Sequence, residues 1–383
     1  MFINVPNDSS SNLTTLSEDN SSLSLSTLLH VITLSGIILT SLIGNILVLI
    51  MFSRQSDLLH GLLSYANRFI LQLTVCNLCK TVFLMISTVV ATIYEEWVFS
   101  VDECVCTGFL MVFFFAASIF THGMITVDRY VAIITPLSYY QLITGKRNKM
   151  MLISVWCIAA VLALPTLIAQ DSIDYHKYRY SCTIGSRSNR IFTYIYHTLV
   201  ILVGFLVPFL GMSFAYYRIY TAARDLVARD RHRWVVAPQE HVQDSVTLDH
   251  ISSRPRSSTN FGHYLPSWRL LLPELSIGLR KVLRSHVGDE LRTATNGLLI
   301  LFAFLVMWLP FFAVIAIGSA QDGDQHVSPT YLEWVSLWLA YSSCAINPFL
   351  YVFRSASMRA HAFAPCCRGA KAGKKRLSMK CGL

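Results

Sequence analysis

The sequence predicts an all-α membrane protein, a seven-transmembrane helix bundle with a short amphipathic eighth helix. Of its 383 residues, 54% are hydrophobic and only 14% are charged, which is too apolar for an ordinary soluble domain. Stretches of about 20 apolar residues, enough to cross a bilayer as a helix, recur along the chain. Seven such stretches are present, at residues 28–53, 64–92, 104–134, 150–169, 193–217, 294–318 and 329–352.

The connections between these stretches predict how the bundle is oriented. Those at 140–149 and 218–293 are rich in Lys and Arg, and the residues after Tyr351 include basic side chains but no acid. The connections at 93–103 and 319–328 carry acids instead. Because basic connections remain in the cytoplasm, we expect an extracellular N-terminus and a cytoplasmic C-terminus. The net charge of +9 then reflects topology and attraction to anionic membrane lipids, not nucleic-acid binding.

The chain divides into three predicted regions. Residues 1–27 form an extracellular tail, residues 28–353 the seven-transmembrane domain with a long cytoplasmic loop at 218–293, and residues 354–383 a short basic cytoplasmic tail. The first region is polar, lacks the apolar core of a signal peptide, and is expected to be disordered. It contains three Asn-X-Ser/Thr sequons, which predict glycosylation at Asn7, Asn12 and Asn20.

The third apolar stretch ends in Asp128-Arg129-Tyr130, where the helix leaves the hydrocarbon. An acid and an arginine at this depth are costly to desolvate, so they indicate a function. We interpret them as a switch in which Asp128 holds Arg129 at rest and releases it when the cytoplasmic side of the bundle opens. Glu290, at the start of the sixth stretch, offers Arg129 a counter-charge.

Polar side chains also lie inside the apolar stretches. Asn45 and Asn77 are predicted to share a buried hydrogen-bonded cluster. Lys80 leaves two alternatives open: an anchor for an anionic ligand group, or a structural partner of a backbone carbonyl or an acid. His122 and His197 are interpreted as core histidines, because no cluster with metal-ligand spacing surrounds them. We therefore expect neither a metal nor a cofactor.

Prolines near the ends of the sixth and seventh stretches predict mobile joints. Pro310 removes a backbone hydrogen bond and bends the helix, and Trp308 beside it is a bulky group that a ligand could move. The alternative is a proline kink packed by an aromatic ring. Asn347, next to Pro348, can bond freed backbone groups, and Tyr351 can swing inward.

Cysteines predict one bridge and one modification. Cys104 lies at the outer end of the third stretch and Cys182 in a long outer connection, where an oxidising environment favours a disulfide. Cys106 is a nearby competitor for that bridge. Cys366 and Cys367 suit reversible palmitoylation, and unmodified thiols are the alternative.

In this order and on these stretches, the motifs resemble the rhodopsin-like (class A) G protein-coupled receptors over nearly the whole chain. The residues that carry the resemblance are Gly44, Asn45, Leu73, Asn77, Cys104, Cys182, Asp128, Arg129, Tyr130, Trp156, Pro208, Tyr216, Phe304, Trp308, Pro310, Asn347, Pro348 and Tyr351.

The resemblance implies a multi-pass receptor of the plasma membrane and not an enzyme. It implies a bridge between Cys104 and Cys182, a contact of Arg129 with a heterotrimeric G protein in the open state, and Glu290 as the resting-state partner of Arg129. Tyr216 belongs to the same set of switch residues. Arrestin, receptor kinases and an unknown extracellular ligand are further implied partners.

Three positions differ from patterns found in the family or its branches. Asn77 stands where the family has an aspartate that binds sodium with a serine such as Ser118, so sodium should bind poorly and basal activity should be favoured. Met111 replaces the aspartate of amine receptors, and Tyr341 replaces the retinal lysine of opsins, so neither an amine ligand nor bound retinal is expected.

The predicted ligand pocket lies between Lys80, Met111, Phe115, His197, Trp308 and Tyr341.

A narrower resemblance, to an orphan ciliary receptor of the family, rests on segments 67–77, 96–99, 143–145 and 327–329. It implies basal coupling to the stimulatory G protein, raised cyclic AMP, a place in the primary cilium and a role in Hedgehog repression. A class A receptor activated by a peptide or small molecule, coupled to another G protein, is the alternative.

A transporter or channel is the hypothesis from another class. It would require an internal repeat or paired ionisable groups in the spans, and the sequence contains neither.

Overall fold

The structure is a computed structural model that describes residues 24–56, 65–169, 173–184, 190–225, 228, 295–320 and 330–350. In this part of the chain, seven helical spans follow one another and pack into a bundle. The first, third and fourth spans are the helices Leu25–Ser56, Val101–Ile134 and Gly145–Ile168, and the sixth and seventh are Thr295–Ala320 and Thr330–Pro348.

Two spans contain a wider turn. The second span consists of Tyr65–Lys80, a π-helical turn at Thr81–Met85, and Ile86–Tyr94. The fifth span consists of Arg190–Leu199, a π-helical stretch at Val200–Leu206, and a helix that continues to residue 225. Such π turns inside α-helices are frequently found at functional sites.

The predicted membrane bundle is confirmed, with one difference in hydropathy. Six helices in the described residues are long and apolar enough to cross a membrane. The seventh span falls short of that criterion because it carries Glu333, Ser336, Ser343 and Asn347, all of them buried inside the protein. Polar side chains in a span are expected to face the bundle interior, as these do.

All seven spans differ from their predicted bounds at one end or both, because the signals that fix helix ends are local. The third span begins at Val101, not 104, because Ser100 and Glu103 form a capping box. The fourth begins at Gly145, not 150, and the Thr144 hydroxyl accepts a hydrogen bond from the Arg147 amide. The fifth continues as a helix through charged residues to 225, beyond the predicted end of its apolar stretch at 217.

Several predictions lie outside the described residues. They are the eighth helix, most of the loop up to residue 293, the tail 354–383, the sequons at Asn7, Asn12 and Asn20, Cys366 and Cys367, and the two switch residues Glu290 and Tyr351.

A two-stranded hairpin, which the sequence did not predict, covers one end of the bundle. Strand β1, Ile173–His176, pairs antiparallel with β2, Ser181–Ile184. A disulfide joins Cys182 on β2 to Cys104 on the third span, the pairing that the resemblance implies. We call this the hairpin end, and the opposite end, where Arg129 lies on the third span, the arginine end.

The main core is built around the third span and lies between the two ends. Its largest fully buried side chains include Trp308 and Tyr341, packed with Phe115 and Phe304. The ring of Phe115 meets the Trp308 ring edge-on at a centroid distance of 5.0 Å and the Tyr341 ring at 6.0 Å. This aromatic layer separates the space under the hairpin from the polar groups deeper in the bundle.

Candidate functional site

An apolar cavity of about 50 Å³ lies beneath the hairpin. Met111 and Phe115 of the third span, His197 of the fifth and Phe311 of the sixth line it, and Arg179 from the hairpin turn lies at its edge. The His197 ring nitrogen Nδ1 is 2.6 Å from the Ser319 hydroxyl, which joins the fifth and sixth spans. The cavity can therefore receive a small apolar group next to a few polar atoms.

The six residues predicted to form the ligand pocket occupy two layers. Met111, Phe115 and His197 line the 50 Å³ cavity, and Tyr341 lines a smaller one of about 10 Å³ with Met111. Lys80 and Trp308 line neither of these, and both are fully buried behind Phe115.

An ion pair closes the hairpin end. Arg179 Nε lies 2.9 Å from Glu333 Oε2 on the seventh span, and both side chains are only about a tenth exposed (11% and 12%). The next residue, Tyr180, places its ring 6.1 Å from that of His30 on the first span. The hairpin is thus fixed to the third span by a disulfide, to the seventh by an ion pair and to the first by a ring contact.

Sequence reasoning did not identify Arg179 or Glu333 as site residues. One available signal was Glu333 itself, because an acid within an apolar stretch requires a partner. The choice of Arg179 depends on the hairpin, which brings residues far apart in sequence together.

Four polar side chains form a hydrogen-bonded chain through the bundle centre. Asn77 Nδ2 donates to Asn45 Oδ1 at 3.2 Å, and Asn347 Nδ2 lies 3.5 Å from Asn77 Oδ1. His122 Nε2 lies 3.2 Å from Asn347 Oδ1, and its Nδ1 lies 2.7 Å from the Ser118 carbonyl oxygen. This chain joins the first, second, third and seventh spans, and it contains the predicted contact between Asn45 and Asn77.

The first and seventh spans approach closely at the same level. Asn45 Nδ2 donates to the carbonyl oxygen of Cys344 at 2.9 Å. A Cβ added to Gly44 would lie 3.1 Å from Pro348, so glycine permits the contact beside the proline. The residues that resemble the family at these positions therefore act as one packing unit.

At the arginine end, Asp128 is buried and Arg129 is partly exposed. Arg129 Nη2 lies 3.4 Å from Asp128 Oδ2, and the arginine side chain is 44% exposed against 1% for the aspartate. The Tyr139 hydroxyl donates a second hydrogen bond, 2.7 Å long, to Asp128 Oδ1. Burial raises the pKa of the Tyr139 hydroxyl, and its bond to Asp128 acts in the same direction, so the phenol stays protonated.

Tyr216 closes the arginine end between the third, fifth and sixth spans. Its hydroxyl lies 3.4 Å from Thr126 Oγ1, and its side chain belongs to an apolar cluster against which Tyr130 and Leu301 pack. Gly297 of the sixth span passes directly over the Tyr216 ring, where an added Cβ would overlap the ring carbons. The sixth span can lie in this position only because residue 297 has no side chain.

The arrangement suits a change of conformation, and the described residues provide no set of metal ligands. No group of three or more His, Cys, Asp or Glu side chains there could hold a metal ion. The hairpin, the central polar chain and the partly exposed Arg129 occupy successive levels of one bundle. A change at one level can therefore be transmitted to another through the helices they share.

Comparison with known proteins identifies a family. Residues 44–351 match the family described as 7 transmembrane receptor (rhodopsin family). The chain is 28% identical over 327 residues to G protein-coupled receptor 161 of Bos taurus, covering 85% of this chain and 56% of that receptor. The chain therefore spans a little over half the length of that relative.

Two receptors of other kinds are about equally similar. Octopamine receptor beta-1R of Drosophila melanogaster is 28% identical over 85% of this chain and 58% of its own length. 5-Hydroxytryptamine receptor 4 of Cavia porcellus is 26% identical over 87% of this chain and 78% of its own length.

Proposed function

The chain belongs to the rhodopsin family of seven-transmembrane receptors, and on that premise we propose that it signals across a membrane to a heterotrimeric G protein. The arginine end is the coupling surface in this proposal. Asp128 holds Arg129 in the closed arrangement, and outward movement of the sixth span exposes Arg129 to the G protein.

The observation that carries the proposal is the unequal exposure of the Asp128–Arg129 pair. The aspartate is buried and shares its charge between Arg129 and the Tyr139 hydroxyl, whereas the arginine is already 44% exposed. Among the described residues Asp128 is the acid that pairs with Arg129, and a partly exposed ion pair of this kind can exchange partners at little cost. Tyr216 and Gly297, which meet at the same end of the bundle, provide the joint that must open.

The orientation follows from the basic connections. In this proposal the hairpin end faces the outside of the cell, with Asn7, Asn12 and Asn20 glycosylated, and the arginine end faces the cytoplasm. Cys366 and Cys367 are palmitoylation sites on the cytoplasmic side, near the eighth helix. Arrestin and receptor kinases are further partners at that side.

The proposed transducer is the stimulatory G protein, with basal production of cyclic AMP. Similarity to G protein-coupled receptor 161 supports this choice, together with a ciliary location and a role in Hedgehog repression. Relatives named for octopamine and 5-hydroxytryptamine are about as similar, but Met111 contributes no charge to the cavity here. The external ligand we propose is therefore not an amine, and its apolar part occupies the cavity under the hairpin.

The proposal is tested by cyclic AMP in unstimulated cells that express the intact chain or Arg129→Ala at equal surface density. We expect raised cyclic AMP with the intact chain and a loss of most of that rise in the variant. Arg147→Ala is the control, because the Arg147 side chain is exposed and, among the described residues, donates hydrogen bonds only to the carbonyl groups of Gln141 and Leu142. Equal signals from the intact chain and Arg129→Ala would refute the coupling.

A panel of second messengers on the same cells separates the alternatives. A rise in calcium or a fall in cyclic AMP, each dependent on Arg129, would replace the stimulatory G protein with another one. A signal that does not depend on Arg129 would contradict the proposed switch itself.

A further inference from the structure

The buried side chain of Lys80 has no counter-charge among the residues that the structure describes. Its side chain is fully buried, with 0% of its surface exposed. Its ammonium Nζ makes no hydrogen bond or ion pair with any residue that the structure describes. Burial of an ammonium without a partner is strongly unfavourable, so such a group is expected to be paired.

The carboxylates that could serve are engaged elsewhere. Among the described residues only Asp128 and Glu333 are buried acids. Asp128 interacts with Tyr139 and Arg129 at the arginine end. Glu333 is paired with Arg179 at the hairpin end. The sequence left open that an acid from another helix pairs with Lys80, and no buried acid in the described part of the chain is free to do so.

Aromatic rings surround the ammonium but do not balance its charge. Lys80 Nζ lies 5.9 Å from the centroid of the Phe115 ring and 5.5 Å from that of Trp308. The faces of aromatic rings attract a cation, which explains why the side chain lies between them. Both rings remain neutral, however, and the site keeps its net positive charge.

Two further donors in the same region also lack a partner among the described residues. The Trp308 indole Nε1–H and the Ser118 hydroxyl are buried and make no hydrogen bond. Ser118 follows Phe115 by three residues on the third span, so it lies on the same side of that helix about one turn away. The indole, the hydroxyl and the ammonium are thus three buried donors without an acceptor among the described residues.

We propose that the Lys80 ammonium pairs with a small monovalent anion in the bundle core, with Ser118 and Trp308 as additional donors. The anion is either a halide ion from solution or the carboxylate of an organic ligand. A single acceptor with negative charge satisfies all three orphaned groups at once. This inference does not rest on coupling to a G protein, because the binding is a property of the bundle alone.

The test uses the purified intact chain in a neutral detergent, without G protein. Its melting temperature is measured while chloride or formate replaces gluconate, an anion too large to enter a packed core, at constant ionic strength. An anion that binds only the folded protein raises the melting temperature in a saturable way. We expect a rise of several degrees for the unmodified chain.

Lys80→Met keeps the length and apolar body of the side chain, and it should abolish the saturable rise. Lys146→Met is the matched control, because Lys146 is an exposed lysine at the start of the fourth span and should leave the rise intact. Ser118→Ala, a smaller change that should fold even if Lys80→Met does not, should weaken the apparent anion affinity several-fold.

The two arms distinguish the sources of the anion. A rise in chloride identifies a halide site, whereas a rise in formate alone identifies a site for the carboxylate of an organic ligand. Equal melting temperatures in all three anions would overturn the proposal. An anion-dependent rise that persists in Lys80→Met would overturn it as well, because the effect would then arise elsewhere on the protein.

Discussion

The two ends of the bundle use their charged groups in opposite ways. At the hairpin end, Arg179 of the hairpin and Glu333 of the seventh span are nearly buried and 2.9 Å apart, and a disulfide also ties the hairpin to the third span. At the arginine end, Arg129 is partly exposed and only 3.4 Å from an aspartate that has a second partner. The first arrangement resists rearrangement, and the second permits it. We infer that the hairpin end holds the bundle in place while the arginine end moves.

We expect the largest effect from a substitution that breaks the ion pair at the hairpin end. Glu333→Gln leaves the buried Arg179 without its counter-charge, and removing one partner of a buried ion pair costs about 3–5 kcal/mol. We expect a clear fall in the melting temperature of the purified protein. Arg179→Met combined with Glu333→Leu should restore much of the loss, because no unpaired charge remains.

The control for that experiment is Lys149→Met, which alters an exposed lysine on the fourth span and should leave the melting temperature within experimental error. If Glu333→Gln proved as harmless as this control, the pair would not hold the lid, and the contrast between the two ends would disappear.

The next largest effect is expected from a substitution that opens the arginine end. In Gly297→Ala the new methyl group overlaps the Tyr216 ring, so either the ring or the sixth span must move away. Movement of the sixth span favours the open state, and we expect basal cyclic AMP to rise several-fold at equal surface expression. Gly318→Ala is the matched control on the same span, where nothing lies within 4 Å of an added Cβ. Unchanged or reduced output from Gly297→Ala would argue against this joint.

A smaller effect is expected in the layer between the two ends. Asn77→Asp replaces the amide that bonds Asn45 with a carboxylate one helical turn from Lys80. The new charge provides a counter-ion for the closed bundle, either to Lys80 or to a sodium ion, so basal cyclic AMP should fall a few-fold. Basal output that is unchanged or higher would remove this idea, and Asn45→Asp, on the first span, is the comparison variant.

The smallest effect is expected from removing the hydrogen bond between Tyr139 and Asp128, which weakens the Asp128–Arg129 pair. Tyr139→Phe removes one donor to Asp128, at a cost of about 1 kcal/mol, and leaves its charge to Arg129 alone. A tighter ion pair should lower basal output by less than the Asn77→Asp change does. Tyr140→Phe, at the exposed neighbouring residue, should have no effect. A rise in basal output in Tyr139→Phe would show that the bond maintains the closed state instead.

Much of the fold could be predicted because its signals are local or nearly so. Apolar length predicted the seven spans, and amides inside apolar stretches predicted the contact between Asn45 and Asn77. The hairpin, the pairing of Arg179 with Glu333 and the donation from Tyr139 to Asp128 could not be predicted. Each depends on where a connection folds back over the bundle, and short connections carry no periodic pattern.

The environment of Lys80 shows the same limit at a single residue. The sequence indicated that a lysine at this depth faces the interior, and the structure places it there. Whether it has a partner depends on three helices at once, since Lys80 lies on the second span and its neighbours Phe115 and Trp308 lie on the third and sixth. No pattern within the second span carries that information.

The wide turn at Thr81–Met85 affects how this chain should be aligned with other sequences. A π turn contains one residue more than an α turn, so the helix changes phase by roughly 100° across it. That shift helps both Lys80 and Thr88, eight residues later, to face inward, where the Thr88 hydroxyl lies 3.2 Å from that of Tyr341. An ungapped comparison with a relative whose second helix is regular would therefore match the wrong residues on one side of Met85.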